Sequence, residues 1–148
     1  LLATENNATR LHGFLPNGKI DPKPALANNS LAPDTCSPVI VGDRVFATAY
    51  GEMYCLNLKD GMKTVWVAED DMFFDHTNVI GGNGRVLAWA NSGDLLLLDA
   101  AADEFKPLSR LRPFGDGKVD SMSHPAIAGN RLYLRGPSEL ACFKLGGD

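Results

Sequence analysis

Three stretches of this chain repeat one another. A repeat constrains a fold more than any single element does, because stacked units bury their cores against their neighbours. The first stretch runs Ser37-Pro38-Val39-Ile40-Val41-Gly42-Asp43-Arg44-Val45-Phe46-Ala47 and resumes at Glu52-Met53-Tyr54-Cys55-Leu56. The second begins at His76, passes through Val79-Ile80-Gly81-Gly82-Asn83-Gly84-Arg85-Val86-Leu87-Ala88 and resumes at Asp94-Leu95-Leu96-Leu97-Leu98. The third begins at His124, passes through Ala126-Ile127-Ala128-Gly129-Asn130-Arg131-Leu132-Tyr133-Leu134 and resumes at Glu139-Leu140-Ala141-Cys142-Phe143. Arg44, Arg85 and Arg131 hold equivalent places, and an acidic residue follows each by eight or nine positions.

Each unit opens with a short apolar strand and turns at a Gly-Asp or Gly-Asn sequence, whose residues accept the positive φ of tight hairpins. A second strand leaves from the arginine. Tyr50-Gly51, Ser92-Gly93 and Gly136-Pro137-Ser138 supply the next turns, and the third strands are almost continuously apolar, as expected of a sheet covered on both faces. A fourth strand is expected over Lys63-Thr64-Val65-Trp66-Val67 and again between Lys106 and Pro113, whereas the third unit reaches Asp148 without one. Upstream, Thr9 to Ile20 reads as the tail of a further unit, with Asn17-Gly18 standing where Asp60-Gly61 stands in the next.

No segment keeps a helical period, and Pro and Gly interrupt most candidates. The expected class is therefore all-β, built from β-propeller blades of four-stranded antiparallel sheets, with a β-sandwich as the structural rival. The 148 residues divide into about three and a half blades at the usual blade length. These are a partial blade over about 9–24 and blades over about 37–68, 76–113 and 124–145, together a partial propeller domain spanning 1–148 that is expected to belong to a larger ring. The start at Leu1-Leu2-Ala3, with no initiator Met, fits a processed product or an excised fragment. Asn-rich positions 6–7 and 28–29, with Pro22, Pro24 and Pro33, read as extended connector, and Asn7-Ala8-Thr9 formally matches a glycosylation acceptor.

The first unit, from Ser37-Pro38-Val39 through Arg44-Val45-Phe46 and Tyr50-Gly51-Glu52-Met53-Tyr54-Cys55-Leu56-Asn57-Leu58 to Asp60-Gly61 and Trp66, resembles the repeat of the PQQ-like (quinoprotein-like) β-propellers. It is most similar to bacterial PQQ-binding-like β-propeller repeat proteins, and the likeness extends over roughly 9–145. The second unit departs from the pattern, with Asp103-Glu104-Phe105 in place of the closing Gly and Trp. The resemblance implies a periplasmic, extracellular or cell-surface location. It does not carry the dehydrogenase chemistry of some members, because the adjacent cysteine pair and the Glu, Asn and Asp ligand set for quinone and calcium are not recognisable here.

Within this frame His76 and His124 occupy equivalent places at the entry to their first strands, and with Asp75 they are the candidate binding residues for a metal or a proton relay. Met72-Phe73-Phe74 is the candidate interface, with burial against a neighbouring blade as the alternative. Arg44, Arg85, Arg131, Gly61 and Trp66 are assigned to the repeat itself: strand starts, a turn, and an aromatic packed between blades. The acidic positions Asp70, Asp71, Asp99, Asp103 and Glu104 lack the alternation that wraps calcium and read as solvated loop.

Composition narrows the function classes. At 45% hydrophobic and 22% charged, the chain has enough apolar material to fold and does not read as disordered. A net charge of -4, with no basic cluster beyond Arg110 and Arg112, argues against a nucleic-acid partner. The run Leu95 to Leu98 is far too short to span a membrane. Cys36, Cys55 and Cys142 form no CxxC pair, and their disulfide state is left open. The leading function is a noncatalytic binding or scaffold module that recognises protein or carbohydrate through its loops and axial mouth, with self-association or docking to the rest of a propeller as further partners. No catalytic residue, metal or cofactor is assigned. The alternative is part of a PQQ- or calcium-dependent oxidoreductase whose site lies largely outside the chain.

Overall fold

The computed structural model describes residues 2–5, 8–33 and 35–146, the first four as backbone; Asn7 of the glycosylation-type triplet lies outside the described residues. Four antiparallel sheets follow one another along the chain, each a simple up-and-down meander. Sheet I holds β1 (Leu2–Glu5), β2 (Ala8–Leu11) and β3 (Leu26–Asn28). Sheet II holds β4 (Val39–Val41), β5 (Arg44–Ala49), β6 (Glu52–Asn57) and β7 (Lys63–Glu69). Sheet III holds β8 (Thr77–Gly82), β9 (Arg85–Ala90), β10 (Leu95–Asp99) and β11 (Pro107–Leu111). Sheet IV holds β12 (Ala126–Ala128), β13 (Arg131–Arg135) and β14 (Leu140–Lys144). The all-β class and the successive blades are as expected from the repeat.

Turn chemistry explains the registers. Asn83 and Gly84 both take positive φ, at 50° and 70°, which closes β8 onto β9 so that Gly82 faces Arg85. This is the Asn-Gly hairpin geometry whose twist matches the strands it joins. Strands β5 and β6 are buried almost end to end. That is the pattern of strands covered on both faces, where alternation is lost. Strand β14 instead alternates between exposed and half-buried positions, so sheet IV is covered on one face only.

The main core lies between sheets II and III and includes the fully buried Phe46, Met53, Leu56, Val79, Leu96 and Leu98. A smaller core of Trp89, Leu95, Val119, Leu132 and Leu134 joins sheet III to sheet IV. The first strands of sheets II and III run close together: a Cβ placed on Gly81 would collide with Val41 Cγ2. Sheets I and II are tied by Asn28, whose amide donates to the Met62 carbonyl at 2.8 Å.

The recurring places of the repeat do different work in each unit. Trp66 lies between sheets II and III, edge-on to Phe105 at 5.7 Å, and its indole N–H donates to the Ala102 carbonyl at 3.3 Å. Arg44 donates to the same carbonyl and pairs with Asp103, so sheet II grips the β10–β11 loop by two side chains. Phe105 fills the space beside Trp66 and meets Phe73 at 6.3 Å. Arg85 instead reaches Asp99 at 3.7 Å within its own sheet. Arg131 approaches Cys142 Sγ across its own hairpin at 3.6 Å, as Arg44 approaches Cys55 Sγ at 3.9 Å. Gly61 has φ 66° and closes the turn before β7. All three cysteines are free thiols, Cys36 and Cys55 buried and Cys142 exposed. Burial pushes the Cys55 thiol up to about 11.

Candidate functional site

The hairpins β5–β6, β9–β10 and β13–β14 and the connectors that lead into the next sheet gather at one end of the molecule. A single device fixes them there: a hairpin glycine receives a connector side chain where a Cβ would stand. A Cβ on Gly51 would lie 2.8 Å from the Phe74 ring, one on Gly93 would lie 2.9 Å from Val119 Cγ2, and one on Gly136 would lie 2.7 Å from the Phe114 ring. The connector over 112–125 is therefore pinned on both sides, by Val119 on sheet III and Phe114 on sheet IV. Phe114 also packs on Trp89, with ring centroids 6.0 Å apart.

A cleft of about 420 Å³ opens at this end, lined from the β5–β6 hairpin by Tyr50 and Gly51, from the next connector by Phe73, Phe74, Asp75 and His76, and from the one beyond by Met122. Tyr50, Phe74 and Met122 are exposed at 71%, 76% and 68%. Tyr50 takes φ 56° and Gly51 φ 81°. The left-handed region suits Gly and Asn, and an aromatic side chain there is an outlier that has to be held in place. Phe74 is set by the short turn before it: the Asp70 carboxylate accepts from Met72 N at 3.1 Å and starts a single 3-10 turn. That turn buries Met72 and Phe73 at 1% and 3% and leaves Phe74 outside. The Met72-Phe73-Phe74 run thus divides into a core residue, Met72, a buried residue at the cleft floor, Phe73, and an exposed cleft residue, Phe74.

Asp75 accepts from Lys118 Nζ at 2.7 Å, from Asn91 Nδ2 at 3.2 Å and from the His76 backbone at 2.8 Å. The Lys118 ammonium, helped by those two amide donors, holds its carboxyl down at about 2. His76 lines the cleft with its Nε2 shielded from solvent and given no hydrogen-bond partner among the described residues. His124 is exposed and is not among the cleft-lining residues. Beside His76, the buried Asn78 donates to the Met122 and Ser123 carbonyls at 3.3 Å each, which seats the 122–123 backbone against sheet III.

The cleft offers apolar and aromatic contact with a few polar groups, the usual make-up of a ligand site. Its one carboxylate is already engaged by Lys118 and Asn91, and among the described residues no three His, Cys, Asp or Glu side chains are grouped to share a metal. The described cleft lining therefore has no free carboxylate for the calcium of the PQQ enzymes. Sequence reasoning takes Tyr50-Gly51 only as a turn and gives Met122 no role. The signal for Tyr50 was there, as an aromatic where a hairpin of this kind favours Asn; Met122 carried none.

The sequence matches no family model, and no curated protein matches it. Among solved structures the chain is similar to BamB from Moraxella catarrhalis, with a TM-score of 0.63 and 16% identity over 96% of this chain and 41% of that one. It is also similar to the N-terminal domain of Nup159, with a TM-score of 0.58 and 16% identity over 97% of this chain and 41% of that one. The fold is thus β-propeller-like, and the chain spans well under half the length of either structure.

Proposed function

We propose that this chain is a noncatalytic binding or scaffold module of the PQQ-like propeller type, acting in the periplasm or at the cell surface, and that the cleft at the hairpin end recognises its ligand. One observation carries the reading: Tyr50 and Phe74 both line the cleft and stand exposed, the first in left-handed backbone and the second on a glycine that leaves no room for a methyl group. Exposed aromatic surface is costly in water, and a chain that keeps it on a rigid hairpin in a disfavoured conformation keeps it for contact. Protein and carbohydrate both suit such a surface, since each stacks apolar faces on aromatics while hydrogen-bonding at the edges.

Chemical-shift mapping on the labelled chain, with a peptide library and an oligosaccharide panel as ligands, tests the reading. Perturbations are expected at Tyr50, Phe74, His76 and Met122, without turnover of any ligand. Perturbations confined to the opposite end, or chemical conversion of a bound compound, would overturn it.

A further inference from the structure

The charges around the cleft say what kind of ligand it takes. This rests on the cleft being the binding site. The stretch from the end of β7 to β8 carries Glu69, Asp70, Asp71 and Asp75 with no lysine or arginine and one histidine, His76, and Glu52 follows the cleft hairpin directly. Two cations pair with carboxylates here, and each is shared, while Arg112 stands nearby on the Ser92 and Gly117 carbonyls. Arg110 bridges Asp70 at 2.8 Å and Asp94 at 3.0 Å, and Lys118 bridges Asp75 at 2.7 Å and Asp120 at 3.3 Å. Glu52, Glu69 and Asp71 are left with no basic partner among the described residues. Glu52 and Glu69 are also direct partners in the β6–β7 register, an arrangement of like charges that works against the sheet unless a cation relieves it.

We infer that the cleft docks a basic polypeptide segment, with a lysine or arginine side chain laid across Tyr50 and Phe74 and its neighbouring positive charges facing Glu52, Glu69 and Asp71. The faces of aromatic rings attract cations, and a cleft of about 420 Å³ admits a side chain or two rather than a folded partner. A neutral sugar could hydrogen-bond to these carboxylates, as the Tyr54 hydroxyl does to Glu52, but would leave their charge uncompensated, and an anionic membrane surface is repelled by them. Met122, flexible and exposed, adapts to the aliphatic stem of the incoming side chain.

Fluorescence anisotropy of labelled hexalysine, run beside hexaglutamate and maltohexaose on the full chain, tests the assignment. Hexalysine is expected to bind and hexaglutamate not to bind. Tyr50→Asn, which suits the left-handed backbone and keeps the fold, is expected to weaken hexalysine about fivefold, the equivalent of one cation-aromatic contact. Glu52→Gln with Glu69→Gln should weaken it further at low salt, and Asp60→Asn at the other end should leave it unchanged. Equal binding of hexalysine by the wild type and Tyr50→Asn, or no binding by the wild type, overturns the inference. Maltohexaose binding that depends on Tyr50 and Phe74, without hexalysine binding, overturns the inference and leaves the cleft as the binding site. Hexalysine binding that shifts only residues away from the cleft overturns both.

Discussion

Tyr50 shows a conflict between local stability and contact. At φ 56° a non-glycine residue gives up about 1 kcal/mol or more of conformational energy, and Asn tolerates the same conformation through its short polar side chain. Tyr50→Asn is therefore expected to raise the thermal midpoint by a few degrees while weakening ligand binding at the cleft. Calorimetry and binding on the same sample check both halves, and a variant no more stable than wild type would mean that Tyr50 packs more than its exposure indicates. Asp75 makes a different prediction, on the acid side. Its carboxyl is held down to about 2, against an ordinary value of 3.8. A depressed carboxyl stabilises the folded state above its unfolded pKa and loses that contribution as pH falls through the folded one. Melts recorded between pH 5 and pH 2 should therefore fall more steeply in wild type than in Asp75→Asn. Parallel slopes would place the carboxylate-ammonium pair among the many exposed pairs that add little.

At the scale of elements, the strands were legible because their turns are. Asn83-Gly84 announces its hairpin, and the apolar third strands announce a sheet covered on both faces. The connectors were not legible, because what fixes them is distant in sequence. Lys118 reaches Asp75 from the far side of sheet III, and the space over Gly136 matters only because Phe114 fills it. The equivalence of His76 and His124 was visible as pattern, but the two strands expose them differently. Gly136 makes the connector testable. Gly136→Ala puts a methyl group 2.7 Å from the Phe114 ring and is expected to cost about 1–3 kcal/mol, the usual range for overpacking. In a Phe114→Ala background that penalty should largely vanish. Denaturant titration of the four proteins gives the coupling, and additive effects would mean that the two residues do not share the site.

For the whole molecule, the net charge of -4 conceals an uneven spread. Carboxylates outnumber cations at the cleft end, while at the other end Lys59, Lys63, Arg85 and Lys106 pair with Asp43, Asp60 and Asp99. Composition argues against a nucleic-acid surface, but an average over the chain says nothing of such unevenness. Attraction of a basic ligand should therefore be strongly salt-dependent, its association rate falling several-fold between about 0.01 and 0.15 M ionic strength as the screening length shortens. A rate indifferent to salt would leave the aromatic contacts as the whole of the recognition.

The unequal size of the two cores sets how the molecule opens. Sheets II and III share a broad apolar contact, whereas sheet IV is held by five buried residues and a pinned connector. Local opening follows the smaller contact. Amides of β13 should accordingly exchange with deuterium through detachment of sheet IV alone, while those of β5 and β9 wait for global unfolding. Since Met122 belongs to that same connector, each such detachment also removes one wall of the cleft, so a bound ligand should slow exchange in β13, a strand that contributes no residue to the cleft lining.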